Sequence, residues 1–262
     1  MPKKSEQQLV AVTIPIYKEQ PNHDELTSLN QCIKILSRYP VVFFAPESLN
    51  TAFYEHHCTG KITYIIKRFD DRYFNGITGY NQLMLSEDFY YAFINFKYIL
   101  IYQLDAFVFR DELEIWCNKG YDYIGAPYIF VDLDNYPIKV FTKYRKLLKL
   151  LNRAGVLKYT FRHVGNGGLS LRHVKHTIRL LHLLKALVKK WVLNEDSFFT
   201  HCGNLLFPFY KLAPEKDALK FSFEEKPDRA YEINNCEIPF GCHAYLRYND
   251  NNFWTSLLNQ TD

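Results

Sequence analysis

Several stretches of this chain are apolar at nearly every position, the mark of strands covered on both faces. Leu9-Val10-Ala11-Val12-Thr13-Ile14-Pro15-Ile16 reads as the first, ended near Pro15, because proline cannot serve a central ladder. Val41 to Ala45 is a second, closed by Pro46, and Lys61 to Lys67 a third, carrying Ile62, Tyr64, Ile65 and Ile66. Ile99 to Leu104 is a fourth, and Tyr121 to Ala126 a short fifth. Elsewhere apolar residues recur at helical spacing. Leu26, Leu29, Cys32, Ile33 and Leu36 form one stripe between Asp24 and Ser37. Thr78 to Phe93 predicts one helix, with Tyr80, Leu83, Met84 and Phe89 in phase. Lys143 to Leu151 and Val174 to Val192 predict basic, Leu-rich helices. Strands alternating with helices predict a mostly parallel central sheet flanked by helices on both faces. No Gly/Ser/Pro-rich linker interrupts residues 1–262, so one domain is expected.

Composition narrows the class. Hydrophobic residues make up 48% and aromatic ones 17%, which excludes a disordered chain and suits walls that stack on sugar rings. The six cysteines, at 32, 58, 117, 202, 236 and 242, show no Cys-x-x-Cys pair or regular spacing. Neither a zinc knuckle nor a disulfide framework is expected, and reduced thiols fit a cytoplasmic location. Met1-Pro2-Lys3-Lys4-Ser5-Glu6 lacks the apolar core of a signal peptide. The long apolar stretch from Ala92 to Phe109 is interrupted by Lys97, Gln103 and Asp105, which argues against a membrane span.

Charge is segregated although the net value is only +4. From Asn135 to Asn194 there are 14 Lys and Arg and no acid, whereas the remainder holds 18 basic against all 28 acidic residues. This basic helical segment predicts an anionic partner: an acidic glycan, a lipid-linked pyrophosphate, or headgroups at the inner face of a membrane. A solvated basic helix face explains it equally well. No nucleic-acid motif is present.

The residues with chemical promise lie at element ends. Asp105 closes the fourth strand, where open α/β sheets bind ligands. A carboxylate there suits a hard divalent cation, Mn²⁺ or Mg²⁺, neutralising a departing diphosphate. The triplet Asp105-Ala106-Phe107 keeps one acid of the usual Asp-x-Asp, so a second ligand must come from elsewhere; His243 is the candidate, and imidazole suits Mn²⁺. Gly165-Asn166-Gly167-Gly168 lets backbone approach a ligand closely, or is simply a tight turn between strands. It is neither a Rossmann fingerprint nor a P-loop. Glu195-Asp196 offers a base for an acceptor hydroxyl; Asn194 or Asp196 also reads as the N-cap of a helix.

Gln103-Leu104-Asp105-Ala106-Phe107-Val108-Phe109, Tyr123-Ile124-Gly125-Ala126-Pro127, Gly165 to Arg172, Glu195-Asp196 and Pro239 to Ala244 together resemble a family of bacterial glycosyltransferase-like proteins. The resemblance covers residues 9 to 245. More distantly, the order of motifs is similar to animal β-galactosyltransferases of the GT-A fold. It implies a GT-A-like fold, Mn²⁺ held by Asp105 and His243, Gly167 and Gly168 against the donor sugar, and Asp196 as base. It further implies Phe69, Asp70 and Asn81 as nucleotide neighbours beside Pro15, Tyr17 and Glu19.

The expected function is transfer of a sugar from a nucleotide-sugar donor, UDP-linked, to a glycan or lipid-linked acceptor. Asp196 as base, with Glu195 beside it, implies inversion. Trp116, Tyr123 and Tyr128 are candidates for the acceptor wall, with at least one of them expected in the core. Two alternatives compete. A sugar nucleotidyltransferase would carry a Gly-rich basic loop after the first strand, where this chain has Pro15-Ile16-Tyr17-Lys18-Glu19. A non-catalytic glycan-binding module is favoured by the broken Asp-x-Asp and disfavoured by Glu195-Asp196.

Overall fold

The computed structural model describes residues 7–128, 139–156, 159, 161–249 and 252–258. Six strands form the central sheet in the order β3-β2-β1-β4-β7-β6: β1 Gln8–Pro15, β2 Val41–Pro46, β3 Tyr64–Phe69, β4 Phe96–Tyr102, β6 Tyr123–Ile124 and β7 Leu169–His173. β3, β2, β1 and β4 run parallel; β7 is antiparallel to both β4 and β6. The mixed α/β architecture expected from the alternation is present, with helices on both faces. Strand parity sorts the core. Val12, Ile14, Val41, Phe43, Leu100 and Tyr102 face one apolar layer, under the helices His23–Leu36 and Ala52–Cys58. Ala11, Val42, Phe44, Ile99 and Ile101 face the other, under Gly76–Met84, Val174–Leu183 and Glu195–Leu205. Alternate side chains of a strand point to opposite faces, so runs this apolar need both layers.

A small second sheet in the order β5-β9-β8 is formed by β5 Phe107–Val108, β8 Ser222–Phe223 and β9 Gly241–Cys242. β9 pairs antiparallel with β5 and parallel with β8. Phe107 spends its ring here, against Phe109 at 5.4 Å and Tyr245 at 5.7 Å. The position that would be the second acid of Asp-x-Asp therefore belongs to a satellite core.

Three element expectations are corrected. The helix predicted over Thr78–Phe93 is two, Gly76–Met84 and Glu87–Tyr91, because the Ser86 side chain caps the second by accepting from the Phe89 N–H. Val174–Val192 likewise divides into Val174–Leu183 and Lys185–Val188. The third strand begins three residues late, at Tyr64, where pairing with Val41 starts. The basic segment holds the helix Lys139–Arg153; its positions 135–138, 157–158 and 160 lie outside the described residues. No helix among the described residues is long and apolar enough to cross a membrane. All six cysteines are free, five of them buried and Cys236 exposed.

Candidate functional site

The topology gathers the chemistry at one edge. β4 ends at Tyr102, paired with Leu169 at the start of antiparallel β7, and the Gln103 N–H donates to the Gly168 carbonyl at 2.9 Å. Asn166–Gly168 is thereby set beside Asp105. The second sheet completes the arrangement. Phe107 pairs with Cys242, and the His243 N–H donates to the Phe223 carbonyl at 3.0 Å, so Asp105, His243 and Glu224 emerge together.

These residues line a cleft of about 700 Å³, within the size range of small-ligand sites. Pro15, Tyr17, Asn81, Asp105, Asn166, Gly167, Gly168, Glu195, Asp196 and His243 all border it. Asp105 and Asp196, 91 positions apart in the chain, share one cavity. Three expected nucleotide neighbours do not border it. Phe69 packs at 6.4 Å from Phe44 and 5.5 Å from Phe89; Asp70 caps the turn Asp71–Phe74, accepting from the Arg72 N–H; Glu19 lies exposed on the loop after β1. Trp116 and Tyr123 are core, against Phe221 and Phe199, as expected of at least one of the three aromatic candidates.

At the first end of the cleft, His243 stands between carboxylates. Its Nδ1 is 3.0 Å from Glu224 Oε1, and its Nε2 is 3.1 Å from Asp105 Oδ1 and 3.2 Å from Gln103 Oε1. Burial opposes the charge on this imidazole, but the two acids override it and lift its pKa well above the ordinary value. Burial alone would raise Asp105; His243 instead holds it below the usual carboxylate range. Asp105 Oδ1 is enclosed and makes no aligned hydrogen bond, despite its short distance from the imidazole. That orphaned oxygen, beside an imidazole nitrogen, fits a divalent cation.

At the other end, Asp196 opens the helix Glu195–Leu205. Burial raises its pKa, opposed by a hydrogen bond with Tyr128 and reinforced by the nearby charge of Glu224. Asn81 fixes this helix start, its Oδ1 accepting from the Glu195 N–H at 3.2 Å. Asn194 occupies the N-cap position without a side-chain cap, whereas Asp196 Oδ1 accepts from the Ser197 N–H at 2.6 Å. Glu195 differs from its neighbour. Its Oε1 takes a 2.9 Å ion pair from Arg172, whose side chain is fully buried. Arg172 also reaches Ser170, the Tyr90 hydroxyl and the faces of Tyr123 and Phe199. Glu195 thus anchors the turn, while its Oε2 is left without a partner among the described residues.

The turn's composition has a packing cause. A Cβ on Gly167 would fall 2.0 Å from Glu195 Oε1, and one on Gly168 would fall 1.9 Å from His243 Nε2. Asn166 takes the left-handed backbone (φ 64°), which asparagine tolerates, and its Oδ1 accepts from the Gly168 N–H at 3.0 Å. Its Nδ2 has no partner among the described residues. Sequence reasoning missed Glu224, and no local signal marks it; only the β8–β9 pairing places it beside His243.

A second group of ligand-type side chains lies at the opposite end of β4. Ligand atoms of Asp122, His173 and His176 fall within 4.8 Å of one another. Here the partners are already taken. Asp122 Oδ1 meets His176 Nδ1 at 2.6 Å, Oδ2 accepts from the Lys211 N–H at 2.7 Å, and His173 Nδ1 accepts from the His176 N–H at 3.3 Å. The imidazoles stack 3.9 Å apart, an arrangement whose in-plane lone pairs do not converge on one ion.

Residues 63–243 match the sequence profile of the family described as "Protein of unknown function (DUF5672)". No curated protein matches the sequence. Among solved structures, mouse xyloside xylosyltransferase 1, in its apo form, superposes with a TM-score of 0.52 at 12% identity, covering 91% of this chain and 98% of that one. Core-mannan synthase A from Aspergillus fumigatus, in a Mn/GDP form, gives 0.50 at 13% identity over 82% and 74%. The glycosyltransferase GlyE of Streptococcus pneumoniae TIGR4 gives 0.50 at 12% identity, over 90% of this chain and 54% of that one. At these identities the likeness shows the fold, which is that of the GT-A glycosyltransferases.

Proposed function

We propose that this chain, which belongs to the DUF5672 family, is a glycosyltransferase that moves a sugar from a UDP-linked donor to a glycan or lipid-linked acceptor. The observation that carries the reading is the meeting of Asp105, His243, the Asn166–Gly168 turn and Asp196 in one cleft of a GT-A fold. A divalent cation, Mn²⁺ or Mg²⁺, held by Asp105 Oδ1 and His243 Nε2, would neutralise charge on the departing diphosphate.

The chain's own residues do the rest. Tyr17, on the cleft rim, and Pro15 bound the donor's nucleotide end, and the unpartnered Asn166 Nδ2 is a donor for the sugar or diphosphate. Asp196 takes the proton from the attacking acceptor hydroxyl, and its raised pKa brings it closer to working pH, as a general base requires. Tyr128 orients that carboxylate. A base on the far side from the leaving group goes with inversion. Glu195, held by Arg172, acts as a positioning residue for the Gly167 turn. The basic helix Lys139–Arg153, with Leu147 and Leu150 exposed, suits an anionic acceptor or the inner face of a membrane.

The test is a thermal-shift screen of nucleoside diphosphates and their sugars with and without Mn²⁺. UDP with Mn²⁺ at a hundredfold excess over Kd should add about 2.7 kcal/mol, which for a domain of this size is a rise of several degrees. A shift with another nucleotide only would overturn the donor assignment; no shift with any would overturn the transferase reading. A glycan-binding module would respond to glycans and remain indifferent to Asp196→Asn.

A further inference from the structure

The cation site is poor in protein donors. Asp105 and His243 supply two protein atoms, and Phe107, in the place of a second acid, faces away into the small core with Phe109 and Tyr245. Cations of this class favour six ligands in octahedral geometry and tolerate amide oxygens among them. A further donor is in reach two residues upstream of Asp105.

Gln103 is half-buried at the end of β4, with its N–H fixed by the Gly168 carbonyl. Its Oε1 lies 3.2 Å from His243 Nε2, on the nitrogen that also faces Asp105 Oδ1 at 3.1 Å. Cis donors around an octahedral ion with bonds near 2.2 Å stand about 3.1 Å apart. Both separations match that spacing. The other imidazole nitrogen, Nδ1, faces Glu224 Oε1 at 3.0 Å, a contact that fixes the ring's orientation and aims Nε2 at Asp105 and Gln103. Gly168 lacks the Cβ that would fall 1.9 Å from that nitrogen.

We propose that Gln103 Oε1 is the third protein ligand of the cation, replacing the absent second carboxylate of Asp-x-Asp, with Glu224 fixing the orientation of the imidazole. The inference rests on the transferase reading only in taking Asp105 and His243 as the cation's holders. It changes the character of the site. One carboxylate, one amide and one imidazole carry a formal charge of −1, against −2 for a site with both acids. The bound ion therefore keeps more of its charge for the diphosphate, and is held more loosely before the nucleotide arrives.

Binding of Mn²⁺ alone to the full-length purified protein decides this, read from loss of the free-ion electron paramagnetic resonance signal. Gln103→Leu should weaken binding about tenfold or more, while Gln103→Glu, of the same shape with a carboxylate, should bind as well as wild type or tighter. Glu224→Gln should weaken it less than Asp105→Asn. If wild type takes up Mn²⁺, Asp105→Asn abolishes uptake and Gln103→Leu does not change it, the amide is no ligand and the proposal falls while the cation site stands. If Gln103→Leu and Gln103→Glu weaken binding equally, Gln103 acts through packing and the proposal also falls. Should Gln103→Leu fail to fold, the direction of the Gln103→Glu effect decides alone. If wild type binds no Mn²⁺, the cation reading fails first and this proposal with it.

Discussion

Two histidine–carboxylate groups occupy opposite ends of β4, and they differ in how their polar atoms are spent. At the Asp122 end, the side-chain atoms described above meet partners within the protein, and the group ties the start of the helix Val174–Leu183 to β6 and Lys211. At the Asp105 end, two buried atoms meet no partner among the described residues, Glu195 Oε2 and Asn166 Nδ2, and Asp105 Oδ1 has the His243 imidazole beside it at 3.1 Å without an aligned hydrogen bond. An unmet buried polar atom costs stability, so a fold keeps a set of them where something else supplies the partner. Residue types and spacing do not separate the two groups. Unsatisfied valence does.

The comparison is broken most severely at Asp196. Asp196→Asn should lower turnover about 10²- to 10⁴-fold, the span of a general base, while donor affinity in a calorimetric titration stays within a factor of a few. Next comes the anchor beneath the turn. Glu195→Ala leaves Arg172 charged and buried, and should cost about 3–5 kcal/mol in urea unfolding. Replacing both with apolar residues of similar volume should recover most of that stability and none of the activity.

Asp122→Ala strands the Lys211 N–H and should cost about 1–3 kcal/mol, with Mn²⁺ affinity unchanged. Asp105→Asn should do the reverse, leaving stability near wild type and removing Mn²⁺ binding. An equal loss of both properties in either variant would erase the contrast between the two ends.

Acid supplies the smallest effect. Burial, with His176 beside it, pushes the His173 pKa down to about 4. Between the ordinary imidazole value and that one, the unfolded chain binds a proton that the folded chain refuses. Stability conferred by the neutral ring is therefore full above about pH 6.5 and falls as pH drops toward 4, by on the order of 2 kcal/mol. Urea midpoints at pH 7 and pH 4.5 should converge in His173→Gln more than in wild type.

Local pattern revealed the parts that local pattern governs. β1, β2, β4 and the helix His23–Leu36 were legible because each is a run with its own period and stop signal. Asp105 was legible because a strand end next to an acid is visible in one window. The split at Ser86 was present in the sequence as a Ser followed by Glu87 and Asp88, overridden by the longer apolar period across it. The two-residue strands β5, β8 and β9 are too short to have a period. Their pairing makes Glu224 and His243 neighbours, and the antiparallel course of β7 makes Gly168 a neighbour of Gln103. The basic charge of Asn135–Asn194 was plain, yet Arg172, counted within it, is no surface charge: it lies wholly buried under Glu195.

The absent side chains at 167 and 168 carry a practical message for anyone wishing to retune this protein. Their volumes are already filled, one by a carboxylate and one by an imidazole, so even an alanine there would evict machinery rather than trim a wall. Libraries aimed at new donors should leave that turn alone and vary the exposed rim at Ile77 and Leu246, where added bulk meets water instead of working parts.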